Sequence, residues 1–262
     1  MHIISGQQQN TSKSDFFIKQ NSLFTMPDKA YSQVTPYLEA IEAYARTTYH
    51  SVYIIDYYKR NFLYVSDNPL FLCGLSVEEV KALGYDFYFK HVAKEDLSLL
   101  LEINQAGFSF FENISIEERT SYTISYNFHL IHSQTQEKVL VNQKLTPLKL
   151  APDGKIWLGL CAVSLASNSG VGDIHITCKG HPLKWTYSLI GKRWNEEKQY
   201  TLTETEKTVI RLANQGYSLQ EIAQRMNKAV DTVKGYRKTL FQKLNVGNIS
   251  EAIAYVTLHK LI

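Results

Sequence analysis

The residues best placed to do chemistry lie between Val230 and Leu244, read VDTVKGYRKTLFQKL. At about 100° per residue of helix, Val233, Tyr236, Leu240 and Leu244 fall on one side, and Asp231, Lys234, Gly235, Lys238 and Gln242 fall roughly opposite. One stripe packs and the other is left to touch something. The outward stripe holds two lysines and a mid-helix glycine, and an interior glycine costs about 1 kcal/mol relative to alanine. Docking in the major groove of double-stranded DNA would give that glycine a purpose. It lets the backbone approach base edges while the lysines meet phosphates or guanine acceptors. A tolerated glycine on a solvated basic face is the competing reading, and the helix alone leaves the two level.

Other reactive residue types carry less. His175, Cys178 and His181 form a His-x-x-Cys-x-x-His string, but strand alternation sends His175 and Cys178 to opposite faces and no fourth ligand is apparent, so no metal site is assigned. His129 and His132 point apart for the same reason. Cys73 reads as a buried thiol, and His91 as a surface or capping histidine rather than a haem ligand. The glycines at 170 and 172 lack the remaining glycine and the strand-to-helix setting of a phosphate loop. No pairing of nucleophile with base stands out, so the sequence does not read as an enzyme.

The elements that would position the basic helix come next. The chain has 262 residues, 44% of them hydrophobic, enough for one large core or two smaller ones, and two domains are expected. From Thr201 onward nine Lys and Arg residues face five Asp and Glu, a larger surplus than the +3 of the whole chain. The positive charge therefore belongs to the last segment, as in a nucleic-acid reader joined to a near-neutral partner domain. No apolar run approaches membrane-spanning length, and the start MHIISGQQQN lacks a cationic segment followed by an apolar one. A cytoplasmic protein is expected. Its three cysteines are widely spaced and read as free thiols.

Residues 1–30 are polar and read as a flexible tail. Pro36 and the spacing of Leu38, Ile41, Tyr44 and Ala45 predict a helix. SVYIID at 51–56 and FLYV at 62–65 predict a hairpin, and Ser76 with Glu79 predicts a capped helix start. Asp96 is expected to cap the helix holding Leu97, Leu100 and Leu101. Three long strands follow, over 122–131, 138–150 and 155–164. The order of two strands, short helices and three antiparallel strands over 31–166 resembles a PAS domain. The carrying residues are YIID at 53–56, FLYVSDN at 62–68, GLSVEEV at 74–80 and HVAKEDL at 91–97, with Ala93 and Lys94 where such domains often have His-Pro. The resemblance implies a five-stranded sheet cupped around helices, serving as a sensor or a dimerisation module. Residues 167–200 read as a connector containing a second hairpin.

In the last segment Thr203 with Glu206 and Ser218 with Glu221 make two capping boxes, and Gly216 stops the first helix. The basic helix and a final helix from about Ile249 complete four helices. Over 201–262 the chain resembles the LuxR-type helix-turn-helix domain at Leu202, Thr203, Glu206, Gly216, Ser218, Glu221, Ile222, Ala223, Thr232, Val233, Lys234, Lys243, Leu244, Ala252, Leu261 and Ile262. It departs from that pattern at Thr205, Lys228, Ala229 and Tyr236. Loss of a serine cap at Ala229 costs about 1 kcal/mol.

The resemblance implies an α+β chain: a PAS-like antiparallel sheet with helices, then an all-α four-helix domain. It implies a DNA-binding regulator of transcription, with Asp231, Thr232, Lys234, Gly235, Arg237, Lys238 and Gln242 towards DNA; for Arg237 a surface ion pair is an equal alternative. It also implies a homodimer joined through Ile249, Ala252, Ile253 and Val256, although Ile253 and Val256 also fit a monomer core. A small-molecule ligand of the PAS-like domain is an open partner, with no ligand residue or cofactor assigned. The alternatives are an interaction module without ligand and a cofactor-bearing redox or light sensor.

Overall fold

The computed structural model describes residues 13–23, 25–167 and 170–262. The helices are α1 (Asp28–Ser32), α2 (Thr35–Ala45), α3 (Pro69–Leu72), α4 (Val77–Leu83), α5 (Asp86–His91), α6 (Lys94–Glu112), α7 (Glu204–Asn214), α8 (Leu219–Arg225), α9 (Val230–Leu244) and α10 (Ile249–Leu258). The strands are β1 (Ser51–Asp56), β2 (Asn61–Val65), β3 (Tyr122–Ile131), β4 (Lys138–Leu150), β5 (Ile156–Leu165), β6 (Gly172–Cys178), β7 (Leu183–Ser188) and β8 (Arg193–Lys198). The class is α+β. Two compact units form, one running to Leu165 and taking in Val171–His181 and Trp185–Asn195, the other built mainly of Glu196–Ile262. Among the described residues no helix is long and apolar enough to cross a membrane.

The first unit is built on one sheet of strand order β2-β1-β5-β4-β3-β6-β7-β8. Its first five strands come from the two hairpin strands and the three long strands that alternation predicts. Strand β1 is buried along its whole length, with α2 and α3 packed against it. The sheet is larger than the expected five strands. The hairpin of the connector does not stand apart: β6 pairs with β3, with Tyr122 opposite Cys178 and Ile124 opposite Ile176. Paired in this way, β3 does not leave a long apolar edge exposed. Trp185 and Trp194 then pack on Phe110 of α6, ring centres 5.5 and 5.2 Å apart, and β8 adds a strand that no periodicity signalled.

Two further readings change. The first twelve residues of the expected tail lie outside the described residues, but Lys13–Phe16 and Lys19–Asn21 form 3-10 turns. Phe16 is buried against Tyr85, Tyr88 and Phe89. An aromatic patch in a polar stretch thus anchors a strap where mobility was expected. Asp96 is not a cap, since α6 already starts at Lys94 with Ala93 before it. Its buried carboxylate instead accepts from the His129 amide at 2.8 Å and meets the His129 ring at 3.0 Å, tying α6 to β3. Gly107 lets α6 lie close on the sheet, for a Cβ there would stand 3.0 Å from Ile124.

The second unit holds α7 to α10. Both capping boxes form, at Thr203 with Glu206 and at Ser218 with Glu221. Gly216 has φ +86°, a left-handed conformation that follows α7 and that glycine adopts without strain. Leu202, Ile210, Leu240, Leu244, Ala252 and Val256 form one apolar cluster. Val209, Ile222, Ala223 and Val233 form a second.

Candidate nucleic-acid interface and buried cavity

Helix α9 is set by its apolar stripe and by its ends. Val233, Leu240 and Leu244 are buried in the two clusters of the second unit, and Tyr236 is half-buried beside Val233. Ala229 supplies no side-chain cap, and the helix stops at Asn245, which takes the left-handed conformation with φ 53°. Before it, α8 and the turn through Asn227 (φ 51°) complete a helix-turn-helix unit. Lys228 sits exposed in that turn, so a charge is tolerated where similar domains have an apolar residue.

The opposite stripe reaches solvent as the spacing requires. Asp231, Thr232, Lys234, Gly235, Lys238 and Gln242 are exposed, and Arg237 is half-buried. A Cβ placed on Gly235 would meet nothing within 4 Å. No internal contact therefore demands glycine there, and the cost of keeping it in a helix points to something outside the domain. The Arg237 guanidinium lies over the Phe241 ring, 5.5 Å from its centre, which holds its charge at the flank of the stripe. Lys234, Arg237, Lys238, Gln242, Asn245 and Gly247 border a shallow depression along the helix.

Two charges need separate treatment. Lys234 forms an ion pair with Asp231 at 3.0 Å, one helical turn away and largely exposed. Such a pair contributes little stability and can be exchanged for a phosphate. Lys243 is turned away from the stripe and bonds to Glu206 at 2.9 Å. Burial by itself raises the Glu206 carboxyl, but the Thr203 amide and the Lys243 ammonium outweigh it and hold the group below the usual carboxylate range.

The expected dimer residues divide. Ala252 and Val256 have no exposed surface and pack in the domain's own core. The apolar spacing that suggested an interface is largely the stripe that packs α10 inward. Ile249 and Ile253 remain half-exposed, and Ser250, Ala254 and Thr257 of the same helix are exposed.

The first unit holds a feature that periodicity only grazed. A cavity of about 50 Å³ is lined by Phe16, Ile55, Tyr57, Tyr85, Tyr88, Leu100, Ile103, Asn104, Gly107, Phe108, Phe111, Ile124, Tyr126, Gln143, Leu145 and Ile156. Among its aromatic residues Tyr57, Tyr85 and Tyr88 come from the segments around β1 and α5. Tyr126 and Gln143 face each other across β3 and β4, and an amide on the inward face of a strand was the available clue. Gln143 donates to the Tyr126 hydroxyl at 2.6 Å and accepts from the Tyr53 hydroxyl at 2.7 Å, which also bonds to the Tyr88 hydroxyl at 2.8 Å. Burial pushes the hydroxyls of Tyr53, Tyr57, Tyr85, Tyr88 and Tyr126 well above the ordinary tyrosine range, so all five keep their protons.

The remaining reactive types are occupied by structure. Burial pushes the thiols of Cys73 and Cys161 up to about 12, so neither is a nucleophile at neutral pH. His91 is buried, stacked on Phe87 and bonded to the Ile131 carbonyl at 3.1 Å. His175 contacts the Asp173 carbonyl and His181 stacks on Trp185. Among the described residues no three His, Cys, Asp or Glu side chains gather where a metal could be held.

Comparison with known proteins bears on the second unit. Residues 200–256 match the family of bacterial regulatory proteins, luxR family. No curated protein matches the chain. Among solved structures, the Vibrio cholerae VqmA dimer without target DNA is 18% identical at a TM-score of 0.34, covering 84% of this chain and 86% of its own. A phage VqmA complex with DPO is 15% identical at 0.30, covering 88% and 91%. The PAS-B domain of Drosophila melanogaster Cycle with bound glycerol is 9% identical at 0.33, covering 44% and 99%. These scores are too low for a shared arrangement of the whole chain to follow from them.

Proposed function

We propose that this chain, whose residues 200–256 are a luxR-family helix-turn-helix domain, is a regulator of transcription that reads double-stranded DNA with α9. The observation that carries this is the exposed stripe of Asp231, Lys234, Gly235, Lys238 and Gln242, with open space over Gly235. An α-helix fits the major groove, and a helix-turn-helix domain places its second helix there. Lys234 and Lys238 then face phosphates or guanine acceptors, and Gln242 faces base edges or sugar. Thr232 and Arg237 meet the backbone from the flanks. Asp231 releases Lys234 on binding and becomes an acceptor for an exocyclic amine.

Two chains would present two such helices about 34–36 Å apart to a pseudo-palindromic site. Pairing through α10 would use Ile249 and Ile253, the two expected residues that keep surface. The PAS-like unit biases the availability of that pair, and its cavity supports a sensing role. The protein works where its DNA is, in the cytoplasm, and catalyses no reaction.

Selection of bound fragments from a random duplex library tests this reading. Recovery of an inverted repeat with one helical turn between half-sites is the expected outcome. Recovery of no preferred sequence by the full chain at physiological salt would contradict it.

A further inference from the structure

We propose that Asp231 is a specificity-determining residue of α9: it selects cytosine at one position of each half-site, and Gly235 is what lets it reach that base. This rests on the reading of DNA by α9 proposed above.

Asp231 is the one acid in α9, and it stands on a stripe that is otherwise basic or uncharged. Against a polyanion such a group costs affinity wherever it faces a phosphate. Its structural duty is small. The carboxylate is 90% exposed and bonds to Lys234 at 3.0 Å. A negative charge in the first turn of a helix and an exposed ion pair each stabilise weakly, and neither needs a particular base nearby. Position gives the charge a use. Asp231 lies in the first turn of α9, and a helix-turn-helix unit brings the N-terminal residues of its second helix to the base edges.

The chemistry of the groove then picks the base. A carboxylate can only accept hydrogen bonds. In the major groove the polar groups of guanine and thymine are acceptors alone, and the donors are the amines of cytosine and adenine. Adenine carries its N7 acceptor beside the amine, where it would face the carboxylate with a lone pair. Cytosine presents an amine and no acceptor. Against guanine or thymine, Asp231 would be stripped of water and left unpaired. Exchange of Lys234 for the cytosine amine also frees the ammonium for a phosphate.

Gly235 supplies the approach. It follows Asp231 by four residues, so the two share one face about 6 Å apart along the axis. The aspartate side chain is short, and its carboxylate meets a base edge only where the helix backbone itself comes close. A Cβ on Gly235 would meet nothing within 4 Å, so the domain does not demand the glycine. Its lack of a side chain lets α9 settle deeper in the groove.

Duplexes from a random library would be selected by the full chain and by its variants, and the recovered bases compared position by position. The wild type should prefer cytosine about tenfold at one position of each half-site. Asp231→Ala should lose that preference alone, keep the others, and bind random-sequence duplex more tightly. Gly235→Ala and Gly235→Leu have room to stay folded and should weaken the cytosine preference, the leucine more. Adding Asp231→Glu to Gly235→Ala should restore it, because the longer carboxylate spans the added distance. A residue that merely supports the helix would give no such rescue. A wild-type base profile retained by Asp231→Ala overturns the assignment while leaving α9 as the DNA reader. An unchanged preference in both Gly235 variants, or no rescue by Asp231→Glu, overturns the role of Gly235. Recovery of no preferred sequence by the wild type would overturn the assignment and the DNA reading together.

Discussion

The two regions that matter here store their information differently. Helix α9 carries its stripe within a single element, at fixed angular spacing, with every contributing side chain exposed or half-buried. The cavity is assembled from a strap, α5, α6 and several strands, and its tyrosines and Gln143 are buried together. The first can be altered one residue at a time with the fold intact. In the second, each polar group is a partner of the next, so function and stability are coupled.

The largest expected effect breaks the support of the exposed stripe rather than the stripe. Leu240→Ala should destabilise the second unit by about 2–5 kcal/mol through reduced burial and the cavity left behind, measured by denaturant unfolding. On the other side of the comparison, Gln143→Leu strips partners from Tyr53 and Tyr126. It should cost about 1–3 kcal/mol in the first unit, whereas Gln242→Leu on the exposed stripe should leave stability within about 0.5 kcal/mol. Equal costs for the two glutamines would erase the distinction.

A smaller gain is expected at the start of α9. Ala229→Ser restores the missing cap and should add about 1 kcal/mol to the second unit, visible as a raised unfolding midpoint. The smallest effect is in acid. Glu206 titrates below its unfolded value when folded, so its contribution is fully present above the unfolded glutamate pKa of about 4.3. It is lost as pH falls through the lower folded value. Glu206→Gln should therefore flatten the acid limb of stability below about pH 4 and lower stability at neutral pH.

This contrast also explains what was legible in the sequence. Helix periodicity predicted that Val233, Tyr236, Leu240 and Leu244 face inward and Lys234, Gly235 and Lys238 outward, because one helix fixes both faces. Capping boxes at Thr203 and Ser218 were legible for the same local reason. Alternation found the strands of the first unit but not their neighbours: pairing of β6 with β3 is a long-range choice that depends on an edge needing cover. Phe16 was missed because its partners Tyr85, Tyr88 and Phe89 lie some seventy residues along the chain. Ala252 and Val256 show the limit of a good stripe, since an apolar face does not say whether it meets its own core or another chain.

The central claim is that the α9 stripe meets DNA, and the most direct test is the salt dependence of duplex affinity for the wild type and the Lys234→Ala, Lys238→Ala double variant. The account predicts weaker binding and a log–log salt slope shallower by about two, one for each lysine withdrawn from a phosphate, with the unfolding midpoint unchanged. An unchanged affinity and an unchanged slope in a folded double variant would contradict it.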